Sequence, residues 1–304
     1  IMIIKTKANS RLFSKVSAVL LSLTFLAACG ENSVSKNANS DINVDRGVRL
    51  YVFDCGNLRF ESMAIFNLSD NETDIRELIV PCYIIDHPKG IVLWDGGLPS
   101  VTAAISDWQP DPDNEGIDSK LNKTLADQLR DMALGFSLSE LSYVGFSHIH
   151  FDHVGVANEV KGATWLVQRG DYDLVMADGA QLVGFDPTLV SGLRSLPVKV
   201  LDDDFDIFGD GKVQIINAPG HTPGHQVLYL ELENLGPLIL SGDLYHTQIN
   251  RSEKRVPIIN VDVDQTLKSM DKVEKLIAET GAALWIEHDL ALFKTLETAP
   301  AYYD

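Results

Sequence analysis

Three histidines and one aspartate fall within six positions of this chain, in the run His148-Ile149-His150-Phe151-Asp152-His153. Imidazole and carboxylate groups at this density suit a borderline-soft divalent cation such as zinc. In an extended backbone, alternate side chains point the same way, so His148 and His150 can bind one metal. Asp152 and His153 can face a second metal once the chain bends. The alternative is a solvated polar loop that is merely rich in histidine, and so dense a cluster makes it the weaker interpretation.

Three more candidate ligands, His221, Asp243 and His288, each follow a short apolar run that is typical of a strand. These predicted strands are Val213–Asn217, Leu238–Leu240 and Ala283–Ile286. The glycines around His221 let the backbone pass close to a metal. A sheet assembles a site by presenting polar side chains at the same end of successive strands, so the recurrence strengthens each candidate.

Other elements must bring these segments together. The apolar run Tyr143–Phe146 leads directly into the histidine cluster, and a hairpin is predicted around Pro88-Lys89-Gly90. Helices are predicted from Thr124 to Leu134 and from Asp264 to Glu279. Further predicted strands begin near Val48 and cover Thr164–Gln168, Val198–Leu201 and Val227–Leu232. Strands outnumber helices, and no change of composition marks a second domain.

Five motifs in this order resemble the metallo-β-lactamase superfamily. They are Asp95-Gly96-Gly97, Ser147-His148-Ile149-His150-Phe151-Asp152-His153-Val154-Gly155, Pro219-Gly220-His221, Gly242-Asp243 and Glu287-His288. The resemblance covers essentially the whole chain from Val48 onward. It implies an α+β fold, a four-layer αββα sandwich with the site along one edge of its two sheets.

Carried over residue by residue, the resemblance implies two divalent metal ions, with zinc the expected metal. His148, His150 and His221 would bind the first, and Asp152, His153 and His288 would bind the second. Asp243 would bridge both. Two metals that share a water create hydroxide near neutral pH, which can attack an ester, lactone or phosphoester, while Asp152 carries a proton to the leaving group.

Several features favour one branch of this superfamily. The β-lactamases lack the bridging aspartate, and glyoxalase-II-like thioesterases add a C-terminal helical domain, whereas 16 residues follow His288 here. The chain looks like an N-acyl homoserine lactonase, a quorum-quenching enzyme that opens an acyl lactone ring. The shared features are Leu50-Tyr51-Val52-Phe53, Pro81-Cys82-Tyr83, His221-Thr222-Pro223-Gly224-His225-Gln226 and a spacing of 22 residues from His221 to Asp243. A phosphotriesterase or arylesterase on the same scaffold is the alternative, and a lipid-anchored binding protein is the non-enzymatic rival.

The sequence departs from this branch at one position. Many of these lactonases place a tyrosine three residues after the bridging aspartate, where it hydrogen-bonds the lactone carbonyl. His246 occupies that position here, and Tyr245 comes one residue earlier. Because an imidazole N–H can stabilise an oxyanion, we assign that role to His246 and keep Tyr245 as a second candidate catalytic residue. His225 is expected to support the ligands and His87 to lie at the surface.

The N-terminus predicts export. Four basic residues precede the apolar stretch Val16–Leu26 and the small residues Ala27-Ala28-Cys29, a pattern typical of a secretory signal. Leu26-Ala27-Ala28-Cys29 looks like a bacterial lipobox, which would leave Cys29 lipidated; a simple cleaved signal is the alternative. The predicted parts are therefore a signal peptide over residues 1–28, a flexible tether over 29–46 and a hydrolase domain over 47–304. The expected location is the periplasm or the outer membrane.

Charge and cysteine content limit the remaining interpretations. Loss of residues 1–28 would move the formal net charge from −18 to −22, which disfavours nucleic acid as a partner. Export permits a disulfide between Cys55 and Cys82, but both lie beside apolar runs, so two buried free thiols are expected. Residues 98–120 predict a lid or a mobile loop, and apolar residues there and in 170–195 are candidates for an acyl-chain groove. A homodimer stays open.

Overall fold

The computed structural model describes residues 46–105, 107–111 and 115–304. The predicted signal peptide, with Cys29, and nearly all of the predicted tether lie outside the described residues. Within the described part of the chain, no helix is both long and apolar enough to cross a membrane.

The larger of two sheets contains eight strands. They are β1 (Arg49–Phe60), β2 (Glu77–His87), β3 (Gly90–Trp94), β4 (Gln109–Pro110), β5 (Ile117–Lys120), β6 (Tyr143–Gly145), β7 (Thr164–Gln168) and β8 (Val198–Leu201), in the order β4-β5-β1-β2-β3-β6-β7-β8. The predicted hairpin is confirmed, because β2 and β3 pair antiparallel. From β3 to β8 the neighbouring strands run parallel.

The smaller sheet contains five strands. They are β9 (Phe205–Asp206), β10 (Val213–Asn217), β11 (Gln226–Leu232), β12 (Gly236–Leu240) and β13 (Ala283–Trp285), in the order β13-β12-β11-β10-β9. All of its pairs are antiparallel except β12 with β13. Strands β10, β12 and β13 end close to the positions predicted from their apolar runs.

The two sheets pack face to face, and helices cover their outer faces. The helices are α1 (Leu125–Met132), α2 (Arg169–Met176), α3 (Gln248–Glu253), α4 (Val263–Thr280) and α5 (Leu290–Phe293). Along β1, Leu50 and Val52 point into the core between the sheets, whereas Tyr51 and Phe53 pack with α1 on the outer face. Both faces of the strand are apolar because both are covered.

Helix α4 covers the outer face of the smaller sheet. Its Met270 and Val273 pack against Ile216 and Val227 of that sheet. The order of layers is therefore helix, sheet, sheet, helix, and the predicted αββα sandwich is confirmed.

Both predicted helices form, and capping residues explain their ends. The Thr124 side chain accepts a hydrogen bond from Asp127 N at the start of α1, and Asp262 accepts one from Gln265 N at the start of α4. Helix α4 ends at Gly281, whose φ of 73° is left-handed and costs glycine little.

The expectation of free thiols is wrong, because Cys55 and Cys82 form a disulfide. Strands β1 and β2 pair antiparallel, which brings the two Cα atoms within 5.7 Å, inside the range that the bond requires. Apolar runs indicate that both residues are buried, but they do not reveal which residues face each other across two strands.

The expected surface position of His87 is also wrong. The side chain is only 3% exposed and stacks on Phe208 with ring centres 3.9 Å apart, while its Nε2 lies 3.1 Å from Asp210 Oδ2. The described part of residues 98–120 is more than a simple loop, because β4 and β5 lie within it and extend the larger sheet at its edge.

Candidate metal centre

The candidate ligands lie at one edge of the two sheets. Strands β3 and β6 are parallel, as are β12 and β13, and β10 runs in the direction of β12 because both pair antiparallel with β11. Parallel strands end at the same edge of a sheet. The candidate residues follow these carboxyl ends: Asp95 after β3, His148 to His153 after β6, His221 after β10, Asp243 after β12 and His288 after β13.

The first group of ligands contains three imidazoles. His221 Nε2 lies 3.1 Å from His148 Nε2 and 3.1 Å from His150 Nδ1. The Oδ2 atom of Asp243 lies 3.3 Å from His221 Nε2 and 3.6 Å from His148 Nε2. All four side chains are buried and can hold one metal ion.

The second group contains Asp152, His153 and His288. Asp152 Oδ2 lies 3.7 Å from the Nε2 atom of each histidine. The other oxygen of Asp243, Oδ1, lies 2.9 Å from His288 Nε2 and 3.4 Å from His153 Nε2. Asp243 therefore offers one oxygen to each group, which is the geometry of a bridging carboxylate.

Burial and charge set the protonation of these groups. Burial lowers the pKa of His148 well below its usual value, and the neighbouring imidazoles lower it further. Burial also lowers the pKa of His153, but three nearby carboxylates outweigh burial and raise that pKa overall. Neutral imidazoles are the form that binds metals.

The donor set fits a cation, and the contact of His221 with Asn260 shows why. His221 Nδ1 donates to Asn260 Oδ1 at 2.9 Å, so the Nε2 atom that faces the other imidazoles carries a lone pair. The buried atoms His153 Nε2 and Asp243 Oδ1 have no hydrogen-bond partner among the described residues. Such atoms are uncommon in native proteins. Two divalent cations among these ligands would satisfy all of them.

A profile of the metallo-beta-lactamase superfamily matches residues 75–280. The chain belongs to this superfamily. Among its relatives, N-acyl homoserine lactonase AttM of Rhizobium johnstonii is 33% identical over 84% of this chain and 98% of its own length. That similarity confirms the predicted N-acyl homoserine lactonase branch.

Solved structures show the same fold. An N-acyl homoserine lactone hydrolase with N-hexanoyl-L-homoserine bound at its catalytic metal centre superposes with a TM-score of 0.71, at 24% identity over 84% of this chain and 98% of the other. AidC, a dizinc quorum-quenching lactonase, gives a TM-score of 0.58 at 17% identity over 84% and 94%. Because both structures are less than 25% identical to this chain, their similarity supports its fold and says nothing about its substrate.

Tyr245 and His246, two and three residues after Asp243, differ sharply in position. His246 lies at the centre, with its Nε2 2.9 Å from Asp243 Oδ2 and its ring packed 4.6 Å from that of Phe66. Tyr245 points the other way: its ring is buried against α4 and its hydroxyl donates to Glu274 Oε1 at 3.0 Å. A catalytic role for Tyr245 is therefore wrong, because successive residues of an extended segment face opposite sides.

Three residues outside or beside the predicted ligands hold the metal-binding loops. His225 Nε2 accepts from Asp243 N and its Nδ1 donates to Ala218 O, which is the supporting role expected for it. Asp171, on α2, accepts from Gly224 N at 2.7 Å and from Thr222 Oγ1 at 2.9 Å. Asp171 and Asn260 were missed because neither lies near a ligand in the sequence, and no motif marks them.

Two cavities meet beside the metal ligands. A narrow one, about 60 Å³, is lined by His150, Asp152, Asp243, His246 and His288 on one side and by apolar side chains on the other, among them Phe60, Phe66, Phe151 and Val183. The second, about 810 Å³, shares Phe151, Val183 and Gly184 with the first and continues past Leu98, Val101 and Leu189. The centre therefore opens onto a path that includes parts of both predicted groove segments. Apolar side chains line the path, together with the polar residues Asp111, Ser119 and Asp186 of the larger cavity.

Proposed function

We propose that this protein is a two-metal hydrolase that opens the lactone ring of N-acyl homoserine lactones. The observation that carries the proposal is Asp243, whose two oxygens face two groups of buried ligands beside an apolar cavity. The relationship to AttM, a named N-acyl homoserine lactonase, supports the substrate class. An acyl lactone needs both features, because its ring must reach the polar centre while its chain lies on apolar surface.

We assign His148, His150 and His221 to the first metal, Asp152, His153 and His288 to the second, and Asp243 to both. Zinc is the proposed metal, since nitrogen and carboxylate ligands suit it and AidC is described as a dizinc enzyme. When bound, two such ions polarise a carbonyl and lower the pKa of a water molecule.

We assign the transfer of the proton to Asp152. Its carboxylate lines the narrow cavity together with Asp243 and His246, within reach of a ring held there. Water adds to the lactone carbonyl carbon, the bond from that carbon to the ring oxygen breaks, and the ring oxygen needs a proton to leave as an alcohol. Asp152 takes the proton from the attacking water and delivers it to that oxygen.

His246 is proposed to stabilise the charge on the carbonyl oxygen. Its ring packs between those of Phe66 and His288, and its Nε2 atom lies 2.9 Å from Asp243 Oδ2, among the proposed metal ligands. A hydrogen on this atom can be donated to a carbonyl oxygen at the centre, as the hydrogen of a tyrosine hydroxyl would be. His246 belongs to neither ligand group, so its removal should leave the metals in place.

A substrate panel on metal-analysed protein tests the proposal. We expect two zinc ions per chain and ring opening of acyl homoserine lactones. Ring opening is measured by the acid that it releases. Paraoxon and phenyl acetate test the alternative, a phosphotriesterase or arylesterase on the same scaffold. Faster turnover of either, with acyl lactones left intact, would refute the lactonase assignment. Absence of all hydrolysis by the metal-loaded protein would favour the binding protein.

We also propose that the mature protein is exported and anchored through a lipid on Cys29. The buried disulfide between Cys55 and Cys82 supports an oxidising compartment, where such bonds persist. Lipidated protein should sediment with membranes, and Cys29→Ala should move it to the soluble fraction. Sedimentation of that variant with membranes would contradict the anchor.

Nucleic acid is not proposed as a partner, and analytical ultracentrifugation would test for a homodimer.

A further inference from the structure

The supports of the histidines at the two proposed metal positions differ in one respect, the carboxylate behind His153. The other histidine of the second group, His288, donates through Nδ1 to the neutral acceptor Ile79 O at 2.7 Å. His153 Nδ1 faces the carboxylate of Asp95 at 3.4 Å, in addition to Ser147 Oγ at 3.2 Å. In the first group, His148 Nδ1 contacts only a hydroxyl, that of Ser147 at 3.1 Å, and His221 Nδ1 contacts the neutral amide of Asn260. The contrast depends on which atom of Asn260 faces His221.

A chain of hydrogen bonds fixes the orientation of the Asn260 amide. The Thr266 hydroxyl donates to Asp262 O at 2.7 Å, so its oxygen is free to accept. Asn260 Nδ2 donates to that oxygen at 3.0 Å, which leaves Asn260 Oδ1 as the acceptor for His221. The backbone of the same segment adds two bonds, from Val261 N to His221 O and from Asp262 N to Gly220 O.

We infer that Asn260 is a positioning residue for the first metal position, and that its neutral amide makes this position the weaker binder of the two. The amide fixes the ring and the tautomer of His221, so that Nε2 faces the metal. A carboxylate behind an imidazole, as Asp95 stands behind His153, makes the imidazole a more basic ligand. A cation held by His148, His150 and His221 would therefore be bound by less basic ligands. This inference rests on the dinuclear centre of the proposed function.

The two metals should consequently leave at different rates when the zinc-loaded protein is mixed with an excess of a chromogenic chelator. We expect one equivalent to leave faster than the other. Asn260→Leu removes the acceptor and should speed the release of the faster equivalent by about 10- to 100-fold, the usual cost of losing a partner of a metal-bound histidine. Asn260→Asp keeps the acceptor, adds charge and should slow the same equivalent by about tenfold, since the Thr266 hydroxyl can turn to donate to the new carboxylate.

Two further variants serve as controls. Asp95→Asn should speed the release of the slower equivalent and leave the faster one unchanged. Asn234→Leu makes the same chemical change at an exposed asparagine that contacts Asp304, and should alter neither phase.

The signs of the changes decide the inference. If Asn260→Asp and Asn260→Leu both speed release, Asn260 merely holds the loop in place and the electronic role is refuted. Equal rates in all variants would also refute it, and uptake of fewer than two zinc ions by the wild type would overturn both the centre and the inference. Two-metal binding without lactone opening would overturn the proposed substrate alone, and the release rates would still decide the role of Asn260.

Discussion

Replacing Asp171 with asparagine should change how the stability of this protein depends on pH. The carboxylate of Asp171 is buried between α2 and the loop that carries His221, and burial raises its pKa to about 7, although hydrogen bonds from Thr222 and Gly224 N oppose the rise. An unfolded aspartate has a pKa of about 3.9. The folded state therefore holds this proton more tightly, and the resulting stabilisation is complete below about pH 4 and is lost as the pH rises through about 7.

The size of the effect follows from the pKa difference. Each pH unit in which the folded protein retains a proton that the unfolded chain has lost changes the free energy of unfolding by about 1.4 kcal/mol. Between about pH 5.5 and 8 the wild type should lose about 2 kcal/mol through this one group, because titration is nearly complete at about pH 8. The amide in the Asp171→Asn variant does not ionise, so the variant should lose correspondingly less.

Urea unfolding of the metal-free wild type and of metal-free Asp171→Asn, at half-unit steps from about pH 5.5 to 8, measures this difference. The quantity of interest is the gap between the two free energies of unfolding at each pH, because titrations common to both proteins cancel. The free energy of unfolding of the variant should rise relative to that of the wild type as the pH rises. If the two free energies of unfolding change in parallel with pH, the folded protein does not retain a proton on Asp171. If the variant becomes less stable relative to the wild type as the pH rises, the pKa of Asp171 is lowered by folding and not raised.

Four further changes test individual contacts. His246→Ala should lower kcat by about 100-fold while zinc analysis still finds two ions per chain; loss of zinc would make the residue a ligand. Tyr245→Phe should reduce the free energy of unfolding by about 1 kcal/mol in urea and leave kcat/KM unchanged, because only a structural hydrogen bond is lost. Val183→Asp places a charge where the two cavities join, so kcat/KM should fall about tenfold for dodecanoyl but not butanoyl homoserine lactone, and an equal fall for both would contradict the apolar path. Replacing both cysteines of the Cys55–Cys82 disulfide by alanine should cost about 3 to 4 kcal/mol in urea, for a separation of 27 residues, and an unchanged midpoint would contradict it.

Much of the site could be predicted because its chemistry is written in short stretches of chain. The run from His148 to His153 brings four candidate ligands together through local geometry alone. Asp243 and His288 each follow an apolar run that is typical of a strand, which makes both candidates at strand ends. The division of the ligands into two groups and the four layers of the fold followed from the family resemblance that these motifs carry.

Contacts between segments distant in the sequence were predicted less well. Cys55 and Cys82 are bonded because β1 and β2 pair with a register that neither strand specifies alone. Tyr245 and His246 are neighbours with opposite directions, and only the packing of α4 shows which of them faces the metals. His87 is buried because Phe208, from the segment between β9 and β10, stacks on it.

The sequence by itself determined which residues could bind metal, because ligand type and local spacing are properties of the chain. The layer order came from the family resemblance that these motifs carry. Only the tertiary structure decided which groups support each ligand. The amide of Asn260 contacts His221, and the carboxylate of Asp95 contacts His153. Asp171 accepts hydrogen bonds from the loop that carries His221. These partners come from segments far apart in the chain. Their contacts arise from sheet pairing and helix packing, so no local pattern records them.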